Sequence, residues 1–319
     1  MDYLDIYYWP QWAELNAVRD NGIAECFDLM SIHGHIYYPY IRREIDTGIN
    51  GEIFYDTVTP QGFNGPIIIE AIDKKRLLDE FDVRFTEHCI KNHIVAEYVR
   101  FSPWLYNHID FEDYYTLHHK NRTFFIDLQK DFFNEEFSHN CRQNIRKAIR
   151  NDVVIEFDFE GIYIDEFCEL YNLMAEKHQL DSYYLYDRSF IADTMQTMKG
   201  NIFIVRAAYQ NIPISATIFV FNSKYMHAYL GGNNYKFTFL GANSLIFYEV
   251  AKWGKENGIE ELHLGGAPEE GVFRFKKNFT KKGILDYFIG TRIRNEQVYN
   301  ELINLRGRNN SGYFPEYRG

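Results

Sequence analysis

From residue 153 onward the hydrophobic pattern admits one order of elements and few folds. Residues 153–159 alternate as a strand, and 165–177 carry Phe167, Leu170, Tyr171 and Met174 at helical spacing. Residues 189–199 read as a second helix, opened by a capping serine and closed by Gly200. Three strands follow, 202–209, 214–222 and 225–230, joined by Asn211-Ile212-Pro213 and Ser223-Lys224. Residues 243–257 then place Ile246, Phe247, Val250 and Trp253 on one helical face, with Gly258 at the end. A last strand, 260–264, runs into Gly265-Gly266. Strand, two helices, antiparallel meander, helix, strand is an α/β (α+β) arrangement: a mixed, largely antiparallel sheet flanked by helices.

The stretch after that strand, HLGGAPEEGVFRFKKNF at 263–279, interleaves Phe273 and Phe275 with Arg274, Lys276 and Lys277. Charges set among phenylalanines imply one buried side and one side facing an anion or a reacting carbonyl, so this is the candidate active-site edge. At 319 residues, 46% hydrophobic and 25% charged, the chain has apolar material for two cores of roughly 150 residues each. Its net charge of -11 argues against gripping nucleic acid over a broad surface, so no DNA partner is expected, and leaves room for one local basic pocket. No segment approaches the roughly 20 consecutive apolar residues of a membrane span, and the N-terminus lacks a basic, cleavable leader, so the expectation is a cytoplasmic protein. Cys26, Cys89, Cys141 and Cys168 share no CxxC spacing and read as free, buried thiols; no metal site is expected. His33 with His35, and His118 with His119, lack an acidic partner at ligand spacing and read as structural.

In the first half, residues 10–21 pattern as a helix, 36–42 and 52–58 as strands, 74–92 as a long helix and 96–101 as a strand. Between them, Thr59-Pro60-Gln61-Gly62-Phe63-Asn64-Gly65-Pro66 is a loop of fixed shape. Residues 123–128 read as a strand and 135–151 as one helix, whose outer face carries Arg142, Arg146, Lys147 and Arg150. That face is either solvated or a phosphate contact.

The order of elements after residue 153 is that of a GNAT acyltransferase unit, and the chain as a whole resembles the FemAB-type branch of that superfamily. The likeness is carried by the proline loop at 59–66, Tyr98-Val99-Arg100-Phe101 with Pro103, Asn144-Ile145-Arg146-Lys147-Ala148, Tyr171 with Met174, and Tyr183-Tyr184. Further pieces are Gly241-Ala242-Asn243, Leu264-Gly265-Gly266, Phe273 to Lys277, and Ile289-Gly290-Thr291-Arg292-Ile293. The resemblance implies two tandem GNAT-like domains, 1–151 and 152–293, with the tail 294–319 returning to the first. It also implies peptidoglycan-bridge aminoacyl transfer or N-acylation, and a pyrophosphate loop at Gly241, Ala242 and Asn243. Thr238 and Asn243 depart from the usual loop pattern, Gln61 and Asn64 from the usual proline loop, and no helical arm is apparent.

In acyl transfer an amine attacks a carbonyl, so the site must take a proton and stabilise a new oxyanion. Lys276, flanked by Phe275, near Gly265 and Gly266 and on a turn that can aim it into a cleft, is the candidate for the second task, with a surface lysine on a basic turn as the alternative; the resemblance points to the same Phe-Lys pair. Period-two spacing puts His227 and Tyr229 on one strand face, as a proton relay and a substrate contact; a core histidine bonded to backbone is the alternative. Tyr184 is a candidate lining residue for the acceptor and Arg100 a candidate for a phosphate or carboxylate. Three readings follow: an N-acyltransferase using acyl-CoA on a nucleotide-linked amino sugar or another envelope polysaccharide precursor; an aminoacyl-tRNA-dependent transferase acting on a peptidoglycan precursor; or a silent relative that only binds a partner.

Overall fold

The computed structural model describes residues 4–49, 51–308 and 312–318. Its contacts divide the chain into two units, residues 7–121 with 286–319, and residues 122–285 with the N-terminal residues up to Ile6.

The first unit opens with α1 (Pro10–Arg19), whose proline sits in the first turn, where its missing N–H costs nothing. Strands β1 (Gly22–Ser31) and β2 (Gly34–Ile49) form a long antiparallel hairpin in place of the short strands expected there. β2 pairs further with β3 (Glu52–Val58) and β4 (Ile67–Ala71). Helix α2 (Lys74–Lys91), capped by the Asp73 side chain, buries Leu77, Leu78, Phe81, Phe85 and Cys89. β5 (Ile94–Arg100) runs parallel to β3, and α3 (Asn107–Asp110) follows. The proline loop is held from within: the buried Asn64 amide donates to the carbonyls of Tyr7 (3.2 Å) and Pro60 (3.3 Å), and the Asn107 amide donates to Asn64 (2.7 Å) and Pro66 (2.9 Å).

β6 (Thr116–Asp127) leads the chain onward. The helix expected over 135–151 is two helices, α4 (Phe132–Glu135) and α5 (His139–Arg150). Ser138 adopts an extended backbone between them and its Oγ accepts from Cys141 N (3.1 Å), so a local cap outcompetes continuation of the helix. Then come β7 (Val154–Asp158), α6 (Ile164–His178), α7 (Arg188–Thr197), β8 (Ile202–Tyr209), β9 (Ile212–Phe221), β10 (Tyr225–Asn233), α8 (Ala242–Glu256), β11 (Glu261–Gly266) and α9 (Glu270–Lys277). The cap of α7 is Asp187, which accepts from Phe190 N (2.7 Å), and Ser189 lies inside the helix. In the second unit the strand order is β6-β11-β10-β9-β8-β7, antiparallel except for the β10–β11 pair.

The core of this unit gathers Phe124 and Ile126 of β6, Phe203, Phe219 and Leu262 of the sheet, Ile145 of α5, and Ile246 and Val250 of α8. Because α5 packs into that core, the units divide at 121/122, whereas the sequence reading drew the line near 151 and left α5 in the first domain. An amphipathic helix advertises a buried face without naming the sheet that buries it.

The chain returns to the first unit through β12 (Ile284–Ile293), antiparallel to β5, and α10 (Glu296–Arg306). There Tyr299 and Leu302 pack with Ile45, Phe54 and Val95, and Arg318 joins Arg43 on the buried Asp56 carboxylate. A second ionic cluster centres on Glu97, which accepts from Arg294 Nε (2.5 Å) and from the hydroxyls of Tyr38 and Tyr115 (3.1 Å each).

The four cysteines are free, with Cys89 and Cys141 buried and Cys26 exposed at the edge strand β1, against the expectation of four buried thiols. No described helix is long and apolar enough to cross a membrane. Among the described residues no group of three metal-ligating side chains gathers; His35 meets Asp28 (2.5 Å), and His118 and His119 meet Thr291 and Asp286 (3.1 Å each).

Candidate active site

The second unit's sheet opens between β10 and β11. The two parallel strands pair at Tyr225 with Glu261, Met226 with Leu262 and His227 with His263, and no further. Each strand then bulges, β10 between Ala228 and Leu230, β11 between His263 and Gly265. Beyond the bulges β10 continues on β9 and β11 on β6. A bulge inserts an unpaired residue and sharpens local twist, so two at matching places pry the strands into a fork.

His227 and His263 are the last paired residues and stack at the crotch, with ring centroids 5.1 Å apart. Both are buried; His227 Nε2 lies 2.9 Å from Asp5 Oδ2 and His263 Nε2 lies 3.0 Å from Glu261 Oε2. Burial pushes the His263 pKa down to about 4, so it is neutral at pH 7. The register between β10 and β9 shifts between Ala228 and Leu230, so the regular alternation that the sequence reading used for His227 and Tyr229 is interrupted there. Tyr229 is the inserted residue, its ring is 6.2 Å from Tyr186, and the two-residue period is broken at that point.

The segment carrying Lys276 is helical, where the sequence reading expected a turn. In α9, Phe273 packs edge-on against Phe124 (5.2 Å), and Phe275 meets Phe247 (5.9 Å) and Phe279 (5.1 Å). These rings anchor the helix and leave Lys276 directed back at β11. Its Nζ donates to the Gly266 carbonyl at 2.6 Å, and a Cβ built on Gly265, which has φ +75°, would lie 3.5 Å from it. No carboxylate of the described residues lies within ion-pair distance of this ammonium, and desolvation lowers its pKa to about 8. A cation so placed is poorly solvated and unneutralised, which strengthens its pull on any negative charge that develops nearby.

On the other arm of the fork, β10 leads through Gly241 into α8. Gly241 takes a left-handed φ of 78°, and a Cβ there would lie 2.7 Å from the Asn144 carbonyl oxygen, so α5 lies against this loop. No side chain caps α8, leaving first-turn N–H groups for a ligand. In front lies a cavity of about 210 Å³, lined by Asn144, Ser215, Asn233, Asn243, Ser244 and Phe275 among others. Ser215 Oγ contacts the Asn243 amide oxygen and donates to that of Asn233 (2.8 Å).

The structure thus gathers Lys276, Phe275, Gly265 and Gly266 on one arm, and Gly241, Ala242 and Asn243 on the other, with Phe275 reaching the same cavity as the loop. Tyr184 stands apart, half exposed on the single turn Ser182–Tyr184, its carbonyl accepting from Tyr171 OH at 2.8 Å. Arg100 belongs to the first unit, where its guanidinium donates to the Thr59 carbonyl (2.5 Å). Sequence reasoning missed Asp5 and Glu261 as partners of the histidines, and Ser215 in the cavity wall. Asp5 lies 222 residues from His227 along the chain, and no local pattern spans that separation.

A fork between parallel strands, an uncapped helix below one arm and a desolvated cation on the other are the parts that acyl transfer needs. Residues 136–277 match the family model described as an acetyltransferase (GNAT) domain, and the chain carries that domain. No curated protein matches the chain. Among solved structures, FemX covers 93% of this chain and 94% of its own, at 14% identity and a TM-score of 0.69. L-PGS from Bacillus licheniformis covers 93% and 96% (12% identity, TM-score 0.55), and a conserved protein of unknown function from Bacteroides thetaiotaomicron covers 88% and 91% (11% identity, TM-score 0.57). At these identities the likeness is one of fold. The FemAB-type resemblance read from scattered motifs therefore extends to the fold of nearly the whole chain.

Proposed function

We propose that the protein is an N-acyltransferase that forms an amide on an amino group of a cell-envelope precursor, such as a nucleotide-linked amino sugar, with acyl-CoA as donor. The observation that carries this reading is Lys276, desolvated and without an acidic partner, at the mouth of the fork. The uncapped start of α8, with Gly241, Ala242 and Asn243, is the place for phosphoryl oxygens of the donor, held by backbone N–H groups. The thioester carbonyl lies toward Gly265 and Gly266. As the amine nitrogen bonds to the carbonyl carbon, the ammonium of Lys276 stabilises the oxyanion; the C–S bond then breaks, and the departing thiolate takes up the proton lost by nitrogen. His227 and Tyr229 border the acceptor's approach along β10, and Tyr184 remains a candidate acceptor contact; Arg100 remains a candidate for a phosphate or carboxylate held by the first unit. Such precursors place the reaction in the cytoplasm.

A second reading, aminoacyl transfer from tRNA to a peptidoglycan precursor, is favoured by two observations. The cavity wall offers amides and hydroxyls with no cation, and exposed Arg146, Lys147 and Arg150 on α5 pair with no described carboxylate. Lys147 Nζ lies 6.0 Å from the Phe239 ring in the turn that precedes Gly241, which sets a cation beside the loop. Radiolabelled transfer from acetyl-CoA and from charged tRNA, onto a panel of UDP-linked amino sugars and muramyl peptides, separates the readings. Label from acetyl-CoA supports the first. Ribonuclease-sensitive label selects the second, and label from neither donor sinks both in favour of a binding-only protein.

A further inference from the structure

The end of α9 is fastened to the start of α5 by one buried carboxylate. Glu136, only 6% exposed, stands between α4 and α5. Its Oε2 accepts from Lys281 N (2.8 Å), Lys282 N (3.3 Å) and the Thr280 hydroxyl (3.3 Å). The Thr280 hydroxyl oxygen in turn accepts from Gly283 N (2.7 Å), and Gly283 O accepts from Phe125 N of β6 (2.9 Å). Two residues along, Ser138 N donates to the Asn278 carbonyl (2.8 Å) and Ser138 Oγ to its amide oxygen (2.7 Å). The turn 278–283, which begins two residues after Lys276, is thereby tied to α5 on one side and to β6 on the other. A carboxylate receiving two backbone N–H groups and a hydroxyl is a strong, directional anchor, and its charge is held well within the ionised range by those donors. At the opposite end no side chain caps α9, and the ties are at the surface or in the backbone: exposed Glu269 lies 3.7 Å from His178, and Ala267 N donates to the Arg122 carbonyl (3.1 Å).

We infer that Glu136 is a positioning residue for Lys276, its carboxylate fixing the C-terminal end of α9 so that the ammonium is held against the Gly266 carbonyl at the fork. The inference rests on the catalytic reading of Lys276 for its consequence and on the hydrogen bonds alone for its geometry. Loss of the anchor lets the last turn of α9 swing on the Phe273 and Phe275 contacts, and the ammonium gains water.

The test uses the full chain with lysine labelled at the ε-carbon with 13C, and follows the Lys276 resonance, assigned by its absence in Lys276→Met, through a pH titration. In the native chain the midpoint is expected near 8. Glu136→Ala is expected to move it upward by at least one pH unit, and Glu136→Gln, which keeps an acceptor oxygen in place, to return it to within half a unit. Should Glu136→Ala not fold, Thr280→Val removes one donor of the same anchor and is expected to shift the midpoint in the same direction by a smaller amount. With 14C-acetyl-CoA and a UDP-linked amino sugar, Glu136→Ala is expected to lower kcat about tenfold with the KM for acetyl-CoA within twofold. An unmoved Lys276 midpoint in Glu136→Ala, or in Thr280→Val if that variant alone folds, overturns the inference. Full activity of Lys276→Met overturns the catalytic reading instead, and the titration still decides the positioning.

Discussion

Lys276 donates to the carbonyl of Gly266, ten residues earlier and on the strand from which its own helix departs. The short excursion through Ala267, Pro268 and Glu269 folds the cation back over the end of β11, so the fork carries its electrophilic group on its own arm.

Replacement of Lys276 by Met keeps the length and apolar stem of the side chain and removes the charge. The variant is expected to fold, to bind donor with little change, and to lose about 10²-fold in kcat, the scale of losing one oxyanion donor. Steady-state rates with donor KM determined separately check this; an unchanged kcat would reduce Lys276 to a surface charge.

The depressed Lys276 pKa, about 8, makes two opposite pH trends. The active form is protonated, so kcat should be flat below pH 8 and fall tenfold per unit above it. Stability should move the other way: between about 8 and the ordinary 10.5 the unfolded chain binds more protons than the folded one, so stability rises with pH in that window. Rate profiles and urea unfolding at pH 7.5 to 10.5, each compared with Lys276→Met, read the two trends separately.

Gly232 in β10 lies directly against α6, where a Cβ would come within 2.3 Å of the Tyr171 nitrogen and 2.4 Å of the Leu170 carbonyl carbon. Backbone cannot rotate away as a side chain does, so Gly232→Ala should cost about 2–3 kcal/mol. Thermal unfolding should fall by about 5–10 °C, given the usual entropy of a unit this size. An unchanged midpoint would mean that α6 shifts freely on the sheet.

Glu97 in the first unit neutralises Arg294 while both are buried. Glu97→Gln leaves the guanidinium with Asp82 (2.6 Å) as its one remaining carboxylate, and should cost about 3 kcal/mol in urea unfolding. A double change of Glu97 and Arg294 to apolar residues should recover part of that loss, because no buried charge is then stranded.

The histidine at 227 shows where reading from sequence stops. The alternation of residues 225–230 identified a strand with His227 and Tyr229 two residues apart, and gave no sign of the residue inserted between Ala228 and Leu230. Hydrogen bonding to neighbouring strands produces a bulge, and no residue in Met226 to Leu230 announces it. Ser138 is the same case on a helix: its propensity is compatible with an interior position, and only its bonds to Asn278 and from the Cys141 N–H make it a cap. The long helix α2 was legible because it buries one face and helical periodicity records that, and the meander because β8 and β9 are near-continuous apolar runs bounded by turn residues.

By itself the sequence determined the order of elements from residue 153 onward and the mixed, largely antiparallel sheet, and it singled out Lys276 as a candidate, since burial patterns, turn residues and the interleaving of rings with cations are local properties of the chain. Tertiary structure alone decided that β10 and β11 part after His227 and His263, that α5 serves the second core, and that Glu136 grips the turn beyond α9. Each of these joins residues more than thirty positions apart in the chain, where pairing is set by the competition of whole surfaces for burial, and no short stretch of sequence contains both partners.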